Sequence, residues 1–275
     1  MQYNQNTQKR NFLFFQIFFI IFSGLLIFYF HPTEKGWWIF KYVSYPKEYF
    51  AAISFIVASF YMILITIWYK NLNNSFNCKA AIMSFFVCGG LSIILSLIVL
   101  YPLWHIFGFY ELEQGFWIFK KTEVVAKNDF IWFFENTGVI AGPVEEFSKL
   151  IAVLSIPFIR KSITDRKSGI LYVVMCAFGF AMIENIIYFV KSEEVLILRM
   201  NPAHAIFSAI WGATLGSWIA KEVSIIKLIG ALLLGMGLHS LWNYSTELNE
   251  FIFLFVFCLV SWKGLFFLKK EFHKT

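Results

Sequence analysis

The stretch Gly142-Pro143-Val144-Glu145-Glu146-Phe147-Ser148-Lys149-Leu150 puts two adjacent carboxylates and an amine into an apolar segment. Its flanks, Ile131-Trp132-Phe133-Phe134 before it and Ile151-Ala152-Val153-Leu154 after it, have the composition of helix that dissolves in lipid. Each ionisable group at the centre of a bilayer costs about 2.5–3.5 kcal/mol. A chain that keeps three of them so close together in such a segment is expected to use them.

The rest of the chain agrees with a lipid setting. Its 275 residues are 59% hydrophobic, 21% aromatic and 15% charged, whereas soluble domains have about 45–50% apolar and 25% charged residues. Several apolar runs reach the roughly 20 residues that cross about 30 Å of hydrocarbon. Between them no stretch is long enough for a soluble domain, which predicts one membrane-embedded domain over 1–275. The fold class expected is all-α, a polytopic bundle of about eight transmembrane helices with a polar site inside the membrane.

In order, spans are expected at 12–30, 49–69 and 80–100, the third closed by Pro102. The first run has the basic lead of a signal peptide (Lys9, Arg10) but is longer than a signal core and lacks a small-residue cleavage site, so it is expected to stay as a helix. Residues 103–130 mix aromatic and charged groups and suit the interface. The run 130–159 exceeds one simple span, and Gly142-Pro143 offers a break, with proline favoured at the first helical position. That would put Glu145 and Glu146 in the first turn of a shorter helix. Further spans are expected at 169–190, 201–220, 226–244 and 251–268. The chain thus divides into accessory helices and an interfacial segment (1–130), a core (131–245), and a last helix with a basic tail (246–275).

With the N-terminus inside, Lys and Arg of the inner segments outnumber those of the outer ones, the most basic loop being Arg160, Lys161, Arg166 and Lys167. This is the bias expected of a cytoplasmic N-terminus. The net charge of +6 is spread over short loops with no clustered basic face, so it is topological and gives no reason to expect nucleic acid. The four cysteines show no CxxC pairing and are read as small buried hydrophobes.

Once the apolar runs are set aside, the ionisable groups stranded in them are few: Glu145, Glu146, Lys149, Glu184, His204 and His239, with Asn243 as an amide companion. Lys149 follows Glu146 by three residues and Glu145 by four, so it reaches either carboxylate along one helix face. The other carboxylate must find a partner on another helix or take a proton. His239 and Asn243, four apart, share a face. One cluster of carboxylates and imidazoles would satisfy all of them together.

Such a cluster serves ion or proton transport, metal binding, or hydrolysis by an activated water. Three routes to intramembrane proteolysis lack their residues. There is no GxSG-like serine, the only aspartates, Asp129 and Asp165, lie in loops, and no histidine begins an HExxH. A glutamate type is left. Glu145, Glu184, His204 and His239 offer the oxygen and nitrogen donors that Zn²⁺ accepts. Their spread over four helices, without the close spacing of a zinc motif, weighs against a metal.

The order Glu145-Glu146-x-x-Lys149, Phe180-x-x-x-Glu184-Asn185, Arg199 with His204, and His239-x-x-Trp242-Asn243 resembles the PrsW family of intramembrane proteases over about 140–245. That family is similar to the group holding the CAAX-prenyl proteases and bacteriocin-processing proteins, from which this sequence departs with Lys149 for Arg and Glu184 for the first His. The resemblance implies a helical bundle in a bacterial cytoplasmic membrane that hydrolyses a membrane-anchored protein, such as an anti-sigma factor. It implies Glu145 as general base, Glu146 and Lys149 as orienting groups, and Glu184 in place of an assisting imidazole. His204 would be a further group of the site, and His239 with Asn243 would be oxyanion donors. It leaves the metal open. A proton-coupled transporter and a non-catalytic immunity protein of the same fold are the rival classes, although no inverted repeat of the transporter kind is present.

Overall fold

A computed structural model describes residues 77–106, 110–112, 119–121, 139–191 and 203–248. The spans expected at 12–30, 49–69 and 251–268 lie outside these. Three helices among the described residues are long and apolar enough to cross a membrane: Cys78–Leu100, Arg166–Asn185 and Ile225–Tyr244.

Helix α1 (Cys78–Met83) starts at Asn77, whose Oδ1 accepts from the Ala80 amide at 3.1 Å. It widens into a π-helical stretch (Ser84–Cys88) and continues as α2 (Gly89–Ile106). Pro102 therefore lies within a helix that was expected to close before it. Proline removes one backbone donor, and membrane helices tolerate this where neighbours re-satisfy the freed carbonyl. Strands β1 (Tyr110–Leu112) and β2 (Phe119–Lys121) follow, antiparallel, with Glu111 opposite Lys120. This three-residue pairing is the one non-helical element among the described residues, which are otherwise all-helical as expected. Tyr110 and Phe119 favour strands, whereas Glu111, Lys120 and Lys121 do not.

Helix α3 (Ala141–Ser155) carries the stretch with which the sequence reading began. It begins two residues before Pro143, close to the start expected at Gly142-Pro143. Both residues sit in its first turn, where amides have no intrahelical acceptor and a missing N–H costs little. Glu145 and Glu146 consequently fall two residues deeper than expected, in the second turn of the helix. A further break comes at Ile156-Pro157. Ile156 is extended (ψ 103°), the conformation that a following proline favours, and Pro157 opens the short α4 (Pro157–Ser162).

Helix α5 (Arg166–Lys191) is capped reciprocally. The Asp165 carboxylate accepts from the Ser168 amide at 2.7 Å, and Ser168 Oγ accepts from the Asp165 amide at 3.0 Å, which is a capping box. Helices α6 (Ala203–Ile219) and α7 (Ile225–Leu248) complete the set. Helix α6 ends with Lys221 at φ 62°. The Lys221 amide donates to the Trp218 carbonyl and the Glu222 amide to that of Ser217, a Schellman closure.

The helices form a closed ring in which α2 packs on α3, α3 on α7, α7 on α6, α6 on α5, and α5 back on α2, with α3 also touching α5 across the ring. Close approach depends on glycine. A Cβ on Gly216 would lie 2.9 Å from Arg166 Cα and against the Asp165 carbonyl, and one on Gly212 would lie 2.9 Å from Val173 Cβ. This is the small-xxx-small approach by which membrane helices pack through their backbones. The core is Phe85, Leu171, Tyr172, Met175, Phe207 and Trp211 with their neighbours. Ile94 and Ile98 on α2, and Ile226, Ile229, Leu233 and Leu241 on α7, point outward as a lipid-facing belt. Cys88 and Cys176 are buried free thiols, whereas Cys78 is exposed.

Candidate active site within the helix ring

The ring brings the stranded polar residues to one point. Glu145, Glu146 and Lys149 come from α3, Glu184 from α5, His204 from α6 and His239 from α7, and all six are buried. The approach of α3 to α7 rests on Gly142, where a Cβ would meet the Ser240 amide at 2.8 Å and His239 Cβ at 3.1 Å. Ser240 Oγ ties the same contact by donating to the Val139 carbonyl at 2.8 Å.

The two adjacent carboxylates have different surroundings. Glu146 is fully enclosed and accepts on both oxygens. Its Oε1 receives Lys149 Nζ at 2.7 Å and His239 Nδ1 at 3.0 Å, and its Oε2 receives Ser208 Oγ at 2.7 Å and Trp211 Nε1 at 2.8 Å. A carboxylate has about four lone-pair directions, and here each faces a donor. Lys149 spends its remaining reach on His204 Nδ1 at 3.3 Å and on the Phe180 ring, 4.3 Å from its centroid.

Glu145 faces the imidazoles. Its Oε2 lies 3.5 Å from His239 Nε2 and 3.8 Å from His204 Nδ1. The opposite nitrogen of each ring is held by another carboxylate, His239 Nδ1 by Glu146 and His204 Nε2 by Glu184 at 3.0 Å. A carboxylate beside a ring nitrogen takes its N–H and thereby selects the tautomer. Both rings then turn their lone pairs toward Glu145. The rings meet edge to face at 4.7 Å, and Phe207 stacks on His239 at 5.0 Å, which fixes the orientation of His239.

Asn243 lies one turn beyond His239 on α7 and is half-buried. Ser208 and Trp211 were absent from the sequence reading, because a serine and a tryptophan are ordinary residues in a membrane helix. Their spacing was the available signal, since they follow His204 by four and seven residues and so share its face.

One donor atom each from Glu145, His204 and His239 lies within 4.8 Å of the others. The set therefore fits a divalent metal in chemistry, two imidazoles and a carboxylate being a zinc ligand set with an open position. The carboxylates behind both rings match the outer shell of such sites. Lys149 Nζ, 3.3 Å from His204 Nδ1, is the cation that already stands beside this set.

Fold and site together define a multi-span helical membrane protein whose polar centre of glutamates and histidines is enclosed by its helices. The profile of the PrsW family of intramembrane metalloproteases matches residues 77–266, and the chain belongs to that family. It is similar to the "Protease PrsW" of Clostridioides difficile, 30% identical over 143 residues, which cover 46% of this chain and 58% of the relative. It is also similar to the "Protease PrsW" of Halalkalibacterium halodurans, 33% identical over 132 residues, 45% of this chain and 61% of the relative. The matches thus span about three-fifths of each relative's length. No solved structure matches the chain.

Proposed function

We propose that the chain is an intramembrane peptidase that hydrolyses a peptide bond of a membrane-anchored protein with water activated at Glu145. The observation that carries this reading is the position of Glu145 Oε2 between the lone-pair faces of His204 and His239, at 3.8 and 3.5 Å. A carboxylate in that place accepts the proton of a water held between it and the rings. Glu146 and Lys149 orient the base and His239, and Glu184 orients His204. Asn243, one turn beyond His239, is the donor offered to the developing oxyanion, since the neutral His239 ring turns a lone pair and no N–H to that side. The protein relatives named PrsW support the peptidase class, and the expected substrate is a membrane-anchored bacterial regulator of the anti-sigma type. The expected setting is the bacterial cytoplasmic membrane, with about eight spans and the N-terminus inside.

Glu145, His204 and His239 are the residues that would hold a metal, with zinc the ion that suits them. Bound there, Zn²⁺ supplies Lewis acidity to the water or to the scissile carbonyl. Metal content of purified protein, compared with that of His239→Ala, tests this part, and equal content in the two proteins would remove the ligand set.

The reading as a whole is tested by cleavage of a single-span reporter in membranes that carry the protein. Glu145→Gln is expected to lower cleavage by about 10²–10⁴-fold, the usual worth of a general base, with expression and melting unchanged. Undiminished cleavage by that variant would remove Glu145 as the base. Proton flux in proteoliposomes that depends on Glu145 and Glu184 would replace the peptidase with a transporter.

A further inference from the structure

Glu146 is held by more than the charge partner three residues away. Its Oε2 receives the Ser208 hydroxyl at 2.7 Å and the Trp211 indole N–H at 2.8 Å, and both residues are fully buried on α6. An indole nitrogen donates and never accepts. Trp211 therefore requires Oε2 to be an acceptor, and the Lys149 ammonium at 2.7 Å requires the same of Oε1. With both oxygens committed as acceptors, the contact from His239 Nδ1 at 3.0 Å has to carry the N–H, because two lone pairs facing each other at that distance repel. The N–H is then held on Nδ1, and in the neutral ring the Nε2 lone pair is left on the side of Glu145, 3.5 Å away.

We propose that Ser208 and Trp211 are positioning residues which, through Glu146, set the tautomer of His239 and keep its Nε2 lone pair on the reacting side. The assignment rests on the hydrolytic reading of the site given above. Both residues donate to Glu146 Oε2, so their effect passes through that carboxylate. If both donors are removed, nothing on α6 holds Oε2, and the Glu146 carboxylate is free to turn away from His239 Nδ1. The Glu146 carboxyl then no longer dictates which nitrogen of His239 is protonated. A ring with its N–H on Nε2 presents a donor to Glu145 in place of a lone pair, and that rearranges the group next to the base without changing the shape of the site. The helix delivers both donors from the His204 face, so α6 serves each imidazole: it carries His204 itself and supplies the clamp behind His239.

The test uses the full chain in membranes or detergent, with the single-span reporter as substrate. Ser208→Ala removes only the hydroxyl, and Trp211→Phe keeps an aromatic ring while removing the N–H. Each is expected to lower kcat by about 10–100-fold, the scale of losses for groups that orient a site's ligands, with KM unchanged to within about twofold. The protein should remain monodisperse and melt within a few degrees of wild type. The double variant should fall no further than Glu146→Gln, because both donors act through that carboxylate. An unchanged kcat in both single variants would overturn the assignment, and so would a rise in KM alone or a loss that tracks the folded fraction. Those results leave the loss in Glu145→Gln standing, so the hydrolytic reading survives them. Wild-type protein that cleaves no reporter would remove both.

Discussion

In α6 the half from Ala203 to Trp211 turns His204, Ser208 and Trp211 toward the carboxylates of α3 and α5, whereas the half beyond it turns Gly212 and Gly216 toward the backbone of α5. Both halves are buried almost throughout, and an apolarity scan reads them alike. They differ in what burial demands. In the first half each polar atom has to be matched by a partner of opposite hydrogen-bonding character, so the residues come as a set. In the second half the demand is the absence of atoms, since a Cβ would fall where the neighbouring helix already is. Function is therefore expected to fail first when one half is altered, and assembly when the other is.

The largest effect belongs to the charge pair on α3 that the polar half of α6 faces. Lys149→Met leaves Glu146 buried without its ammonium partner, a loss of about 3–5 kcal/mol for a broken buried pair. Thermal unfolding in detergent should show it as a sharp drop in melting temperature. A variant that melts like wild type would mean that Ser208, Trp211 and His239 hold Glu146 without help.

The glycine half is probed by Gly216→Val, whose added carbons would press on Asp165 and Arg166 backbone atoms. Overpacking costs about 1–3 kcal/mol, and rigid backbone on the far side puts this case at the upper end. Folded yield should fall while cleavage per folded molecule stays at the wild-type level. A fall in specific cleavage would break the separation between the halves.

The smallest effect is expected at the end of α6, where Lys221 occupies the left-handed region. That conformation costs a side-chain-bearing residue about 1–2 kcal/mol, and part of the gain from glycine is lost to its freer unfolded chain. Lys221→Gly should therefore raise the melting temperature slightly and leave cleavage unchanged.

The sequence was most informative where burial is costly. Glu145, Glu146, Lys149, Glu184, His204 and His239 stood out because charge in an apolar run needs a reason, and the ring of helices brings all six together. The helical spacing also foresaw that Lys149 would take one carboxylate and leave the other to distant helices. Ser208 and Trp211 were illegible because neither carries a cost in lipid that would mark it. Boundaries misled where proline was read as a stop. Pro102 lies within a helix, Pro143 sits in the first turn of α3 close to the start expected of it, and Pro157, which passed without comment, makes the break that ends α3. A proline's effect depends on whether its missing donor had an acceptor to lose, and that is settled by where the helix begins. The strand pair of 110–112 with 119–121 was hidden by its brevity within a segment read only as interfacial.

Helix α5 is the least apolar of the three candidate spans and also the most enclosed, with 94% of its window buried. During synthesis it leaves the ribosome before α6 and α7 exist to cover it. Among the described elements, the π-helical stretch, α2 and α3 are made earlier and are there to receive it, the first two through the meeting of Phe85 and Gly89 with Gly179. Biogenesis of this protein thus has a vulnerable interval, in which a helix built for a protein interior has to wait in lipid with Glu184 unmatched by His204. The close glycine contact with α2 gives it a resting place until the later helices arrive.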